Sequence, residues 1–195
     1  MEKGGAGSAI VKSIVLVVLG ALVVLGVYMA LTRTKKSPTE ETYVSTVVDE
    51  FTTMNLEKNY PASSRKVVET FIRAMQVLYK EQYTTEQEDK IVANIAGLMD
   101  QELLDNNVFF EKDIKDDVDR KKKEDNTISN FEILQKREPD EYKTDGRWMC
   151  KVDAIYYMRM GTQGTVTVDY TFILRREEGS GNWKIYGWAL KEENK

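Results

Sequence analysis

Between Ser13 and Leu31 the chain reads SIVLVVLGALVVLGVYMAL, a run without a single charge. About 20 apolar residues in a helix cross a hydrocarbon core, and a helix satisfies its own backbone groups, as lipid demands. Lys12 bounds the run on one side and Arg33, Lys35 and Lys36 on the other, with Tyr28 near the second boundary, where aromatic rings are favoured. A cleaved signal peptide has a shorter apolar core, about 7–15 residues, and small residues before its cleavage site; here bulky Tyr28 stands two positions before Ala30. A soluble helix would show a polar face, and this run has none. The expectation is a transmembrane helix over 13–31 after a short tail, 1–12. Gly26 and Ala30 make one small-xxx-small pair, the kind of face on which membrane helices pack. The flanking positive charges are nearly level, so the positive-inside rule sets no orientation. A short tail before a long carboxyl-terminal part favours an extracytoplasmic domain.

Residues 32–44 (TRTKKSPTEETYV) are polar, contain Pro38 and change charge sign partway, as a juxtamembrane linker does. The soluble domain is expected over 45–195. Its first stretch, Thr42 to Leu56, is rich in β-branched residues and fits either a short strand or a helical turn. Then Val67, Val68, Phe71, Ile72, Met75, Leu78 and Tyr79 recur at three-and-four spacing, which predicts a helix with one buried face. Ser63 is placed as its N-cap, following Pro61, which confines the chain to extended geometry. A second helix is predicted to begin at Thr84 or Thr85, with Thr85 and Glu88 as a T-x-x-E capping box. Ile91, Val92, Ile95, Leu98 and Met99 form its apolar stripe, and Leu103 and Leu104 continue a helical pattern to Asn106-Asn107. Residues 111–125 (EKDIKDDVDRKKKED) are nearly all charged and read as a solvated helix or loop, with Ile114 and Val118 as its inner edge.

After Thr127 the apolar period becomes two. Trp148, Cys150, Val152, Ala154, Tyr156, Met158 and Met160 alternate, then Val166 to Leu174, then Trp183 to Ala189. An earlier strand is expected at Ile128 to Lys136. One apolar face per strand marks an antiparallel sheet packed on one side, and helices followed by strands point to an α+β fold.

Composition excludes several chemistries. The chain has no histidine, so Ser-His triads and most zinc sites are out of reach. Its single cysteine, Cys150, cannot form an intramolecular disulfide. A net charge of −4 argues against nucleic acid as a partner. No calcium-loop ladder occurs in the acidic run, so no metal and no cofactor are expected.

The stretches NYPASSRKVVETF, LMDQELLDNN and NWKIYGWAL, together with the span, resemble the NTF2-like cone fold. More closely they resemble a clostridial family of single-span membrane proteins carrying that domain. The plan is also similar to VirB-type subunits of type IV secretion. The resemblance implies an α+β cone of helices packed on a four-stranded antiparallel sheet, outside the cytoplasm, working through protein contacts.

Three sets of residues compete as a site. Ser63 and Lys66 have the S-x-x-K spacing of serine enzymes that act on cell-wall peptides, but the companion motifs are missing. Lys143-Thr144-Asp145-Gly146 is only an interrupted K-T-G, placed at a turn. Asp153 and Asp169, near Tyr157 and Tyr170, would suit an acid/base pocket if they pointed inward; they fall on the polar phase of their strands. That polar phase, with Lys151, Asp153, Tyr157, Arg159 and Asp169, is the expected interaction face for a protein partner or a second copy. Trp183, Tyr186 and Trp188 are expected to pack in the core and at an edge.

The function expected is a membrane-anchored, non-enzymatic interaction or assembly module. The alternatives are a tethered small-molecule-binding or enzymatic domain, and a conjugation or secretion subunit. The inside of the cone decides between the first two. A deep, mostly apolar cavity with a carboxylate pointing in favours the small-molecule-binding or enzymatic domain. Filling by Phe71, Met75, Tyr156 and Phe172 leaves only the surface.

Overall fold

Hydrophobic periodicity and capping place most of the elements in the computed structural model, which describes residues 46–191. The expected tail (1–12), span (13–31) and linker (32–44) lie outside the described residues. Helices α1 (Val47–Thr52), α2 (Ser64–Lys80), α3 (Thr85–Gly97), α4 (Gln101–Asp105) and α5 (Phe110–Lys123) precede strands β1 (Asn126–Ile133), β2 (Tyr142–Thr144), β3 (Arg147–Met160), β4 (Thr165–Arg176) and β5 (Trp183–Leu190).

The sheet is antiparallel in the order β1-β3-β4-β5, and β2 pairs with β3. Two parts of the expected architecture are therefore corrected. The sheet has five strands, not four: Tyr142–Thr144 folds back on Arg147–Met149 through a tight turn. Asp145 and Gly146 both adopt positive φ there, 51° and 80°, as a two-residue hairpin turn requires. Secondly, no helix among the described residues is long and apolar enough to cross a membrane; the run expected to do so lies outside them. The ambiguous stretch after residue 42 contains a helix, α1, started by a capping box between Thr46 and Asp49.

The core forms where α2 lies on the sheet. Val67, Val68, Phe71, Ile72, Met75 and Leu78 are buried against Cys150, Val152, Ala154, Phe172, Leu174 and Ile185. Ser63 starts α2: it is extended, with φ −147° and ψ 162°, and its hydroxyl accepts from the Lys66 N–H at 3.3 Å. The next cap sits one residue before the expected place. Thr84, not Thr85, is the N-cap of α3. Its hydroxyl accepts from the Gln87 N–H at 3.2 Å, and the Gln87 amide oxygen accepts from the Thr84 N–H at 2.8 Å. Gln at the third helical position closes the box as well as Glu does, so the register with Gln87 is available, and Thr85 becomes the first helical residue. Ser63→Ala and Thr84→Ala should each lose about 1 kcal/mol in urea unfolding, and Thr85→Ala only a few tenths. A larger loss at Thr85 than at Thr84 would contradict the register.

The predicted second helix does not run through to Leu104. It ends at Gly97, where a Cβ would sit 2.7 Å from Leu56 Cδ1. The chain then lies along β5: the Ile185 N–H donates to the Leu98 carbonyl and the Asp100 N–H to the Ile185 carbonyl, both at 2.9 Å. This short pairing covers part of a sheet edge that would otherwise stay open. Asp100 then caps α4 through the Glu102 N–H and is buried in an ion pair with Arg175.

Candidate functional site

The apolar phase of β3 and β4 is longer than the helices that cover it. At the far end Met158, Met160, Val166 and Val168, with α2 and α5, border a part-open cavity of about 530 Å³. That volume falls within the range of about 300–1,000 Å³ usual for small-molecule sites. Its floor is aromatic. Tyr156 and Tyr170 lie with ring centroids 4.8 Å apart, and Phe71 and Trp188 5.4 Å apart. Met75, Met158 and Met160 line it as well, and thioether side chains adapt to irregular shapes.

The polar wall comes from the run that sequence reading assigned to solvent. α5 buries Phe110 and Val118, and one-turn spacing then brings Asp113, Asp117, Arg120 and Lys121 to the cavity. Asp117 accepts from the Tyr79 hydroxyl at 2.5 Å and from the Arg120 guanidinium. Burial, and then the bond to Asp117, holds the Tyr79 phenol well above its usual ionisation range. Burial does the same for Tyr156, and burial with the charge of Asp117 raises Tyr170. All three therefore remain neutral O–H groups at ordinary pH. Tyr79 already donates its hydrogen bond to Asp117. The hydroxyls of Tyr156 and Tyr170 have no hydrogen-bond partner among the described residues.

The family described as domain of unknown function DUF6715 matches residues 1–188. The chain belongs to the DUF6715 family. No curated protein matches it. Among solved structures, the crystal structure of the intermembrane space region of chloroplast protein ARC6 is similar at 9% identity and a TM-score of 0.37, over 72% of this chain and 98% of that one. At that distance it bears on neither fold nor function.

In the DUF6715 chain Tyr170 alone of the residues expected to form a site lines the cavity. Ser63 is committed to its cap, and Lys66 pairs with Glu69 at 2.9 Å rather than with the serine. Lys151, Asp153, Tyr157 and Arg159 form one row along β3, with Asp169 on β4 opposite Ile155. They share the sheet face away from the core. Asp153 is already engaged there, accepting from the Thr171 hydroxyl at 2.6 Å and the Lys191 ammonium at 3.1 Å. Arg159 pairs with Asp125 at 2.8 Å. Among the described residues no cluster of three acidic or cysteine ligands could hold a metal. Trp183 is core, but Trp188 belongs to the cavity. The cavity residues missed by sequence reading had one signal: seven alternating apolar residues from Trp148 to Met160 make a longer face than one helix can cover.

Proposed function

We propose that this DUF6715 protein is a membrane-tethered, non-enzymatic binding module whose cavity takes a small, largely apolar molecule. The observation that carries this reading is the aromatic and methionine-lined cavity walled by Asp117 on α5. It favours a ligand over a purely surface role, because Phe71, Met75 and Tyr156 border the space instead of filling it. Only shape and apolar surface are required for such binding, and no group there is arranged as a nucleophile with its base. The tether rests on the uncharged run 13–31.

Phenylnaphthylamine, a neutral dye without oxygen, tests the cavity. The full chain in lipid nanodiscs should give saturable energy transfer from tryptophan to the dye, above that of empty nanodiscs. Val168→Trp, which places a ring in the cavity, should abolish the saturable part. Its persistence would place the dye elsewhere.

Orientation has its own test. Cys150 is fully buried and its thiol is pushed up to about 11 by burial, so a membrane-impermeant thiol reagent should leave the native chain unlabelled. Val108 is 78% exposed on the α4–α5 loop. Val108→Cys should label on intact cells if the domain is extracytoplasmic. Labelling only after lysis would show the opposite topology.

A further inference from the structure

Two phenol hydroxyls decide what the cavity selects. Tyr156 is only 8% exposed, and its hydroxyl has no partner among the described residues. That hydroxyl opens onto the cavity and is not sealed from solvent; an occupant that displaces its water without replacing the hydrogen bond leaves it unsatisfied, so the hydroxyl discriminates between occupants. Tyr170 stacks beside it and is also unbonded. Tyr79 lines the same cavity as this pair. Tyr79 already donates its hydroxyl hydrogen bond to Asp117, which leaves Tyr156 and Tyr170 as the free donors of the group. Charge at the wall is balanced: Asp113 and Asp117 stand against Arg120 and Lys121. Arg120 is already paired with Asp117. A carboxylate or phosphate would gain no net attraction from that balanced wall while leaving water for an apolar floor, which is costly for any ion.

We propose, resting on the binding reading above, that the ligand is an uncharged, largely apolar molecule carrying a carbonyl oxygen, which accepts hydrogen bonds from Tyr156 and Tyr170. The aromatic floor holds the carbon skeleton, and the tyrosine pair fixes the end that enters first. Specificity then follows from the unbonded donors: a hydrocarbon of the same shape enters but leaves both hydroxyls unsatisfied.

The test compares two neutral dyes on the full chain in nanodiscs, using the same energy-transfer measurement. Prodan is a naphthyl ketone; phenylnaphthylamine lacks the oxygen. Tyr156→Phe should weaken prodan roughly five- to tenfold, as loss of one hydrogen bond does, and leave phenylnaphthylamine within about twofold. This variant removes only an unbonded hydroxyl, so its melting temperature should not fall; Tyr170→Phe gives the same comparison at the second donor. Methyl laurate should displace prodan, and laurate at equal concentration should not. Equal effects of both variants on both dyes would overturn the proposal while leaving the cavity reading intact, as would stronger displacement by laurate. Absence of saturable binding by either dye would overturn both.

Discussion

Phe172→Ala is expected to cost about 3–5 kcal/mol, the range for removing a buried aromatic side chain. Phe172 is fully buried in β4 and touches the rings of Phe71, Trp188 and Tyr170, at centroid distances of 5.7, 6.2 and 6.4 Å. All three of those neighbours border the cavity. A site beside open space has little packed matter to move into the hole, so the loss should lie in the upper part of the range. Domains of this kind are stable by about 5–15 kcal/mol in all, so the midpoint of urea unfolding should fall steeply. Val166→Ala is the control: Val166 lines the same cavity but is 44% exposed, and its loss should stay below about 1 kcal/mol. Similar losses at the two positions would mean that Phe172 is not the joint between core and cavity.

Asp100→Ala should be about as damaging, for a different reason. Asp100 sits where the chain leaves the β5 edge and enters α4, and its side chain is 5% exposed against 14% for Arg175. Its carboxylate accepts from both Arg175 nitrogens facing it and from the Glu102 N–H. Removing it leaves a guanidinium buried with Glu102 alone opposite, and removes the cap of α4. Breaking one side of a buried pair costs about 3–5 kcal/mol. Replacing both partners with apolar residues is much less harmful, because no uncompensated charge remains. Asp100→Leu with Arg175→Met should therefore be more stable in urea than Asp100→Ala alone. If the double variant is the weaker, the pair contributes attraction beyond its desolvation cost.

The parts of this fold that sequence reading reached are those set by local rules. The stripe from Val67 to Leu78 appears in the order of residues, because helical spacing puts them on one face. So does the two-residue alternation of β3 and β4. The Thr84–Gln87 box was missed by one position because two threonines stand side by side and each has a suitable partner three residues on. β2 was missed because three exposed residues, Tyr142, Lys143 and Thr144, carry no alternation to see. The Asp100–Arg175 pair joins residues 75 apart, and nothing local announces it.

The cavity is a harder case. It is a shape made where side chains fail to meet, and sequence patterns describe only where they do. Each lining residue has its own ordinary reading: Met158 as strand core, Trp188 as edge packing, Asp117 as a solvated charge. Only the placement of α5 across the end of the sheet turns them into one surface. The five outer-face residues were legible as a row, and the structure does put them in one; that alternation could not show which face carried the space.

That same placement has a consequence for how a ligand gets in and out. α2 is pinned by nine buried residues, and α5 by Phe110 and Val118 alone, supplemented by polar ties such as Tyr79 to Asp117 and Lys115 to Asp89. Segments with few buried contacts open at a small fraction of the free energy of global unfolding. The cavity thus has one stiff wall and one light one. For the proposed ligand, the sheet and α2 would set which molecule fits and the lifting of α5 how fast it comes and goes, so residence time and selectivity would be carried by different parts of the chain.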